Sequence, residues 1–197
     1  MEIKSIEQNA RLMVSSIMTN EIVNKLQKAI YDYDNITFIH SQNVAYIIAQ
    51  ICNYMELYSD EKRMIVTGAL LHDIGKISIP KSIISKKNKL TMEEYEIIKS
   101  HTIEGYEILK KYGFDENICN IALMHHEKED GSGYPNNEKT IPTFVQLISL
   151  VDSYDAMTAA RPYGIEYSSH MAIEILKNEN SVKQHKYLDL IKQCNVK

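Results

Sequence analysis

Residues that interrupt helices or stabilise small secreted folds are scarce in this 197-residue chain. It contains only 7 Gly, 4 Pro and no Trp. Its three cysteines, Cys52, Cys119 and Cys194, lie far apart and form no CxxC pair. An odd, scattered set of cysteines excludes a disulfide framework and a thiolate zinc site. The composition therefore favours a mostly helical protein of the reducing cytoplasm.

Long apolar runs and a surplus of positive charge are also missing. No run approaches the ~18 apolar residues that a membrane span requires, and the first residues, MEIKSIEQNARL, lack the apolar core of a signal peptide. With 22 basic and 26 acidic residues, the net charge is −4. We therefore expect a cytoplasmic protein with no membrane insertion and no duplex nucleic-acid partner. A small anionic ligand stays allowed, since one Lys and one Arg suffice to bind it.

Apolar residues, at 44% of the chain, recur with a helical period and without the alternation of strands. We predict helices over residues 4–31 with a break near Thr19 and Asn20, and from His40 to Leu57 after a polar connector over residues 32–37. Later starts are expected at Ser59, Thr91 and Asp115, and further helices over residues 144–160, 168–176 and 182–194. The fold is predicted to be all-α.

The stretch Leu70 to Pro80, LLHDIGKISIP, places His72 and Asp73 at the end of an apolar helix. Gly75 is predicted to stop this helix. Neighbouring helical residues point about 100° apart, so both cannot face one apolar core without a polar partner. The pair His125-His126, at the end of another predicted helix, raises the same difficulty. Two metal ions side by side would accommodate both pairs, with a carboxylate between them as a bridge.

Five of the seven histidines lie at a helix end or in a first turn beside apolar residues; they are His40, His72, His101, His125 and His126. Any one alone is more often a hydrogen-bonded core or capping residue. Asp152, within FVQLISLVDSYDAM, would be costly if buried and unpaired, so it either caps something locally or binds a cation. Asp155, one turn later, either shares that site or orients a ligand from behind.

Imidazole and carboxylate ligands without thiolate suit iron, manganese or zinc. With Lys76 and Arg161 nearby in this reading, such a cluster fits phosphoester hydrolysis, because cations can take up charge on the phosphoryl group. The alternatives are solvent exposure for Lys76 and a helix C-terminal cation for Arg161.

At this point the motifs HDIGK followed by IP, then HHEKEDGSGYP, then DSYDAMTAARPY, resemble those of the HD-GYP family, a branch of the HD superfamily of phosphohydrolases. The resemblance covers about residues 34–163. It implies a compact multi-helix HD-domain bundle with a long GYP loop, which falls on residues 127–142. It also divides the chain into an N-terminal helical segment, 1–33, packed on or leading into the domain, and an HD-GYP catalytic domain, 34–197.

The resemblance implies a set of metal ligands: His40, His72, Asp73, His101, His125, His126 and Asp152. Within it, His72, Asp73 and Lys76 are the catalytic residues, and Asp73 is the bridging carboxylate. Residues expected to contact the substrate are Lys76, Gly131, Gly133, Tyr134, Pro135, Asp155 and Arg161.

The family's activity implies a phosphodiesterase that opens cyclic di-GMP to linear pGpG, and further to GMP, by attack of a metal-bridging hydroxide. Two divalent ions are implied, iron or manganese first, with zinc, nickel or magnesium as alternatives. A GGDEF-domain protein or an upstream sensor is an implied partner, and the N-terminal helices are interpreted as a dimer or linker segment.

Three positions depart from the family pattern. Ile36 stands where family members with three metals have a glutamate, which favours two metals. The segment after Pro135 is short, and Gly164 replaces a basic residue that often follows Arg-Pro-Tyr. Two alternatives therefore stay open: an HD hydrolase for another cyclic dinucleotide or nucleotide, and a weakly active regulatory module that binds a GGDEF partner.

Overall fold

The computed structural model describes residues 3–55, 57–159, 167–179 and 185–194. In these residues the chain forms eleven α-helices, one 3-10 helix at Ile74–Ser78 and no strand, so the all-α expectation is confirmed. The α-helices are α1 (Ile3–Met18), α2 (Glu21–Tyr33), α3 (Asn35–Tyr54), α4 (Ser59–Leu71), α5 (Lys81–Ile84), α6 (Met92–Lys99), α7 (His101–Lys111), α8 (Glu116–Met124), α9 (Thr143–Thr158), α10 (Ser169–Glu179) and α11 (His185–Gln193).

The predicted break between the first two helices is present at Asn20, whose side-chain oxygen accepts hydrogen bonds from the N–H groups of Ile22 and Val23. Such a cap satisfies N–H groups that the first turn leaves unpaired. The polar connector predicted over residues 32–37 is wrong. Asp34 alone ends α2 and caps α3 with its side chain, so α3 starts at Asn35. His40 consequently lies in the second turn of its helix.

The central helix is α3, which contacts α1, α2, α4, α9 and α11. Its apolar face is fully buried through Val44, Ile47, Ile48 and Ile51. Residues of α1 and α2 belong to the same core; they are Ala10, Ile17, Val23, Leu26 and Ile30. Because truncating one buried Ile or Leu costs about 2–5 kcal/mol, this core fixes α3, and with it His40, against α4 and α9.

The helix before the HD pair begins at Ser59, as predicted, with Tyr58 as its N-cap. Its end differs from the prediction, since it ends at Leu71 with His72 as C-cap. Gly75 does not end it, because Gly75 lies inside the 3-10 helix. A Cβ at Gly75 would come within 1.9 Å of the His101 carbonyl oxygen. The glycine therefore allows this turn to pack directly on α7.

The capping box predicted at Thr91 is confirmed: Thr91 and Glu94 exchange side-chain-to-backbone hydrogen bonds of 2.8 and 3.2 Å. His101 belongs to the next helix and lies in its first turn, as the sequence analysis allowed. The chain turns at Ser100, whose hydroxyl donates to the Ile97 carbonyl, and His101 opens α7.

The helix start predicted at Asp115 is confirmed. Gly113, with φ +75°, follows α7, and Asp115 caps α8 through the N–H of Asn117. His125 is the C-cap of α8, and residues 127–142 contain no helix before α9. Among the described residues, no helix has both the length and the apolar character needed to cross a bilayer.

Candidate metal centre

Residues from distant parts of the sequence meet at one buried point. His40 comes from α3, His72 from the end of α4, His101 from the start of α7, His125 from the end of α8 and Asp152 from α9; all are buried. His40 and Asp152, 112 residues apart in sequence, lie in hydrogen-bond contact. The core between α3, α4 and α9 thus brings the predicted ligands together.

Three overlapping groups have ligand atoms within 4.8 Å of one another. They are His40, His72 and Asp73; His72, His125 and Asp152; and His101, His125 and His126. All seven predicted ligands are included, so the structure places each of them within reach of a shared centre.

Asp73 lies between two sets of imidazoles. Its Oδ2 is 3.5 Å from His72 Nε2 and 4.0 Å from His40 Nε2. Its Oδ1 is 3.4 Å from His101 Nε2 and 3.9 Å from His125 Nε2. Each oxygen of one carboxylate therefore faces a different set of ring nitrogens, which is the arrangement that a carboxylate bridging two ions requires.

Three imidazoles are oriented by the helix ends that carry them. In each, Nδ1–H donates to a backbone carbonyl three residues earlier; the pairs are His72 with Ala69 at 2.7 Å, His101 with Ile98 at 2.6 Å and His125 with Ala122 at 2.9 Å. With Nδ1 carrying the proton, Nε2 of each ring presents a lone pair to the centre. Outer hydrogen bonds of this kind fix the tautomer and direction of metal-ligating histidines.

The centre contains polar atoms that the protein does not satisfy. Among the described residues, the buried His72 Nε2 and Asp73 Oδ1 have no hydrogen-bond partner. His101 Nε2 and His125 Nε2, both lone-pair atoms in this tautomer, face each other at 3.2 Å. Buried unsatisfied groups are costly. A divalent cation fits here, because the donors are neutral imidazole nitrogens and carboxylate oxygens.

Burial sets the charge states of the imidazoles of His101, His125 and His126. It lowers the pKa of His101 to about 4 and also lowers the pKa values of His125 and His126. These rings are therefore neutral at pH 7, the form that binds metals. Burial alone would raise the pKa of Asp73, but Lys76 and the neighbouring histidines hold it well below its usual value. Asp73 is thus ionised.

His40 is held by two carboxylates. Its Nδ1–H donates to Asp155 Oδ2 at 2.6 Å and its Nε2–H to Asp152 Oδ1 at 2.8 Å. Burial acts to lower the pKa of His40, but these two hydrogen bonds outweigh it and raise the pKa to about 9. Asp155 is buried behind His40, so of the two roles considered for it, the geometry favours orienting the ring. Its assignment as a substrate contact stays a prediction.

Lys76 points into the centre and not simply into solvent. Its Nζ lies 2.5 Å from Asp73 Oδ2, and its side chain is 26% exposed. The Asp73 side chain is only 2% exposed. The ammonium group therefore contacts the buried carboxylate while the Lys76 side chain stays partly exposed.

The predicted loop brings Tyr134 to the opposite edge. Its ring stacks on His126 with centroids 4.8 Å apart and planes at 29°, and its centroid is 6.5 Å from that of His101. Burial raises the pKa of the Tyr134 hydroxyl, which stays protonated. Gly131, Gly133 and Pro135 lie on either side of Tyr134 in the loop. Their substrate contacts stay predictions.

Two residues named in the sequence analysis cannot be compared with the structure. Arg161, the second predicted phosphate cation, and Gly164 lie outside the described residues.

One residue in the loop was missed. Glu127 is 4% exposed, and its carboxylate accepts hydrogen bonds from the backbone N–H groups of Asn136 at 2.7 Å and Glu138 at 2.9 Å. The available signal was an acidic residue directly after the histidine pair, at the start of a glycine-containing loop. Its partners are backbone groups, which a motif of side chains does not reveal.

A family model described as HD domain matches residues 22–187 of the chain. RpfG of Xanthomonas campestris pv. campestris, named a cyclic di-GMP phosphodiesterase response regulator, is 33% identical over 178 residues, 87% of this chain and 47% of that protein. A cyclic di-GMP phosphodiesterase of Thermotoga maritima is 40% identical over 147 residues, 73% of this chain and 39% of that protein.

A third relative, named 3'3'-cGAMP-specific phosphodiesterase 2 of Vibrio cholerae, is 37% identical over 161 residues, 79% of this chain and 31% of that protein. The chain thus spans less than half the length of these three relatives.

Among solved structures, the HD domain of the phosphodiesterase PgpH from L. monocytogenes, in complex with cyclic-di-AMP, has the same fold. The TM-score is 0.66 at 22% identity, over 85% of this chain and 93% of that one. Together with the family match and the relatives, this confirms the resemblance drawn from the motifs. The chain belongs to the HD domain family, in its HD-GYP branch.

Proposed function

We propose that this chain is the catalytic unit of a metal-dependent phosphodiesterase that hydrolyses cyclic di-GMP to linear pGpG, with GMP as a further product. The observation that carries the proposal is Asp73, a buried, ionised carboxylate whose two oxygens face different sets of imidazole nitrogens. Relatives at 33% and 40% identity, both named cyclic di-GMP phosphodiesterases, support the substrate.

Two divalent ions, iron or manganese, are proposed as the cofactors. His40, once its Nε2 gives up the proton that it donates to Asp152, would hold one of them together with His72, Asp73 and Asp152. His101, His125, His126 and Asp73 would hold the other. The donors contain no thiolate, and a mixed imidazole and carboxylate set is compatible with these metals. When bound, such ions supply Lewis acidity for the phosphoryl oxygens and a nucleophile at neutral pH.

The chain's own residues complete the site on its open side. Lys76 already lies against Asp73, and its partial exposure allows its ammonium group to contact a phosphoryl oxygen as negative charge increases there. Tyr134 provides a flat aromatic surface beside His126, next to the loop that carries Gly131, Gly133 and Pro135. Arg161 is proposed as the second phosphate contact.

Protein purified without oxygen, with its metals quantified, tests this function. Incubation with cyclic di-GMP is expected to yield pGpG, identified by chromatography against a standard. Asp73→Asn is expected to abolish product, whereas Asp60→Asn, an exposed aspartate on the helix that precedes the HD pair, leaves it unchanged. Absence of product from wild-type protein that contains two metals per chain would refute the assignment.

A second candidate is hydrolysis of another cyclic dinucleotide. A specific observation favours it: the relative from Vibrio cholerae at 37% identity is named as 3'3'-cGAMP-specific, and the PgpH structure contains cyclic-di-AMP. Initial rates with cyclic di-GMP, 3'3'-cGAMP and cyclic di-AMP at equal concentration separate the two. If the initial rate with 3'3'-cGAMP or cyclic di-AMP is tenfold or more above that with cyclic di-GMP, that dinucleotide would be the substrate in place of cyclic di-GMP.

Partners, location and domain boundaries follow as proposals. A GGDEF-domain protein is proposed to contact the loop over residues 127–142, several of whose residues are exposed. The three free, buried cysteines fit a cytoplasmic location. Residues 1–33, whose helices pack on α3, are proposed as the N-terminal segment through which an upstream sensor or a second copy acts on the domain 34–197.

A further inference from the structure

His126 is held differently from the other imidazoles of the centre. His72, His101 and His125 each donate Nδ1–H to a backbone carbonyl, and His40 donates to Asp155. In the part of the chain that the structure describes, the His126 ring makes no hydrogen bond. Its orientation instead depends on ring contacts, of which the flattest is the stack with Tyr134.

Tyr134 is in turn fixed by the loop that carries it. Its N–H donates to the His126 carbonyl at 3.2 Å, which ties the two residues through the backbone. The segment just after Tyr134 is tied to Glu127, whose two carboxylate oxygens accept the N–H groups of Asn136 and Glu138. Hydrogen bonds from N–H groups to a carboxylate are stronger than hydrogen bonds between neutral groups.

The segment just before Tyr134 is packed on the same residue. A Cβ at Gly133 would lie 2.4 Å from the Lys128 nitrogen and 2.5 Å from the Glu127 Cα, so this position requires glycine. Asn137, with φ +58°, donates its side-chain N–H to the Gly133 carbonyl at 2.6 Å. Both ends of the turn that presents Tyr134 are therefore closed on Glu127.

We propose that Glu127 is a positioning residue of the metal centre: its carboxylate closes the loop over residues 127–138 so that Tyr134 stacks on His126 and holds that ring in its ligating orientation. Tyr134 and Glu127 thus do for His126 what backbone carbonyls do for its three neighbours. Residues that orient metal ligands typically change metal affinity by about 10–100-fold when removed. The inference rests on the proposed metal centre and is independent of which cyclic dinucleotide is the substrate.

Mn²⁺ binding to the metal-free protein, followed by electron paramagnetic resonance of the free ion, tests the proposal. Glu127→Ala and Tyr134→Ala are each expected to weaken one of two Mn²⁺ sites about 10–100-fold and to leave the other unchanged. Tyr134→Phe, which keeps the stacked ring, is expected to bind as wild type. Glu129→Ala, an exposed acidic residue of the same loop, is the matched control. The double variant Glu127→Ala/Tyr134→Ala should add little to either single change, because both act on one contact.

Equal Mn²⁺ affinity in Glu127→Ala and Glu129→Ala would overturn the proposal, as would equal losses in Tyr134→Phe and Tyr134→Ala. If Glu127→Ala does not fold, as judged by circular dichroism, the two Tyr134 variants decide between these outcomes. Turnover of cyclic di-GMP is assayed on the same samples. Its absence in wild-type protein with intact Mn²⁺ binding overturns the proposed substrate and leaves the positioning of His126 standing.

Discussion

His101 and His126 belong to the same ligand group, with ring centroids 5.2 Å apart, yet they are held by different means. His101 is fixed by a carbonyl three residues earlier in the chain, as are His72 and His125. His126 depends on an aromatic ring that a loop supplies and a buried carboxylate positions. One side of the centre is thus determined by helix ends, and the other by a loop closed over residues 127–138. Changes at Asp73, which faces both imidazole sets, should affect both metals, whereas changes on the loop side should affect one metal.

The largest effect is expected where the two sides meet. Asp73→Asn keeps the shape of the side chain but removes the charge that faces both imidazole sets. Since even residues behind the ligands are worth about 10–100-fold, we expect turnover to fall by at least about 100-fold and the metal content to drop below two per chain. Elemental analysis and product formation measure both. Two fully bound metals in the variant would contradict the bridging position of Asp73.

A smaller loss is expected on the helix side for Asp155→Asn. The asparagine can still accept a hydrogen bond from His40 Nδ1–H, but without the charge that helps to raise the pKa of His40 to about 9. We expect metal affinity to fall about tenfold and the His40 pKa, followed by NMR in metal-free protein, to decrease. Asp32→Asn, an exposed residue of α2, is the control. An unchanged His40 pKa in Asp155→Asn would contradict the proposed influence of Asp155 on the His40 ring.

The packing between the HD turn and α7 predicts an effect on stability. Gly75→Ala puts a Cβ within 1.9 Å of the His101 carbonyl, and that atom is backbone that cannot move aside. Overpacking of this kind costs about 1–3 kcal/mol, measurable by urea unfolding of the metal-free protein. Gly113→Asn is the comparison, since nothing lies within 4 Å of that position and Asn tolerates positive φ. Equal losses in both variants would contradict a specific role for the contact between Gly75 and α7.

The smallest expected effect concerns the pH dependence of folding stability. His101 and His40 contribute to it with opposite sign. The folded pKa of His101, about 4, lies below the unfolded value of 6.5, so the unfolded state binds more protons and stability falls as the pH drops through this window. For a pKa shift of that size, the free energy of unfolding falls by about 2 kcal/mol between pH 7 and pH 5. The raised pKa of His40 gives stability that is complete below 6.5 and is lost as the pH rises toward about 9.

Urea unfolding of metal-free protein at pH 5, 7 and 9 checks both signs. His101→Gln should flatten the acid side of the profile, and His40→Gln the alkaline side. The same flattening on the same side in both variants would contradict the assigned pKa directions.

The difference between the two sides also explains what could be predicted from sequence. Ligands at helix ends were predictable, because a histidine next to an apolar helical run is visible in the sequence, as at His72 and His125. The boundaries around Asp34 and Ser100 were not, since one residue that caps two helices, or a turn between two helices, leaves the apolar period almost unbroken. Gly75 was wrongly predicted to stop a helix. Its actual role, close approach to α7, is a tertiary contact that the sequence does not show. Glu127 was missed for the same reason, since its partners are backbone amides about ten residues away.

Anomalous diffraction from crystals of the protein grown with Mn²⁺ would show whether the Asp73 carboxylate joins two metal positions. We expect two anomalous peaks about 3.5–4 Å apart, with Asp73 Oδ1 on one ion and Oδ2 on the other, and with His126 bound to the ion that His101 and His125 share. A single peak, or two ions without Asp73 between them, would contradict it.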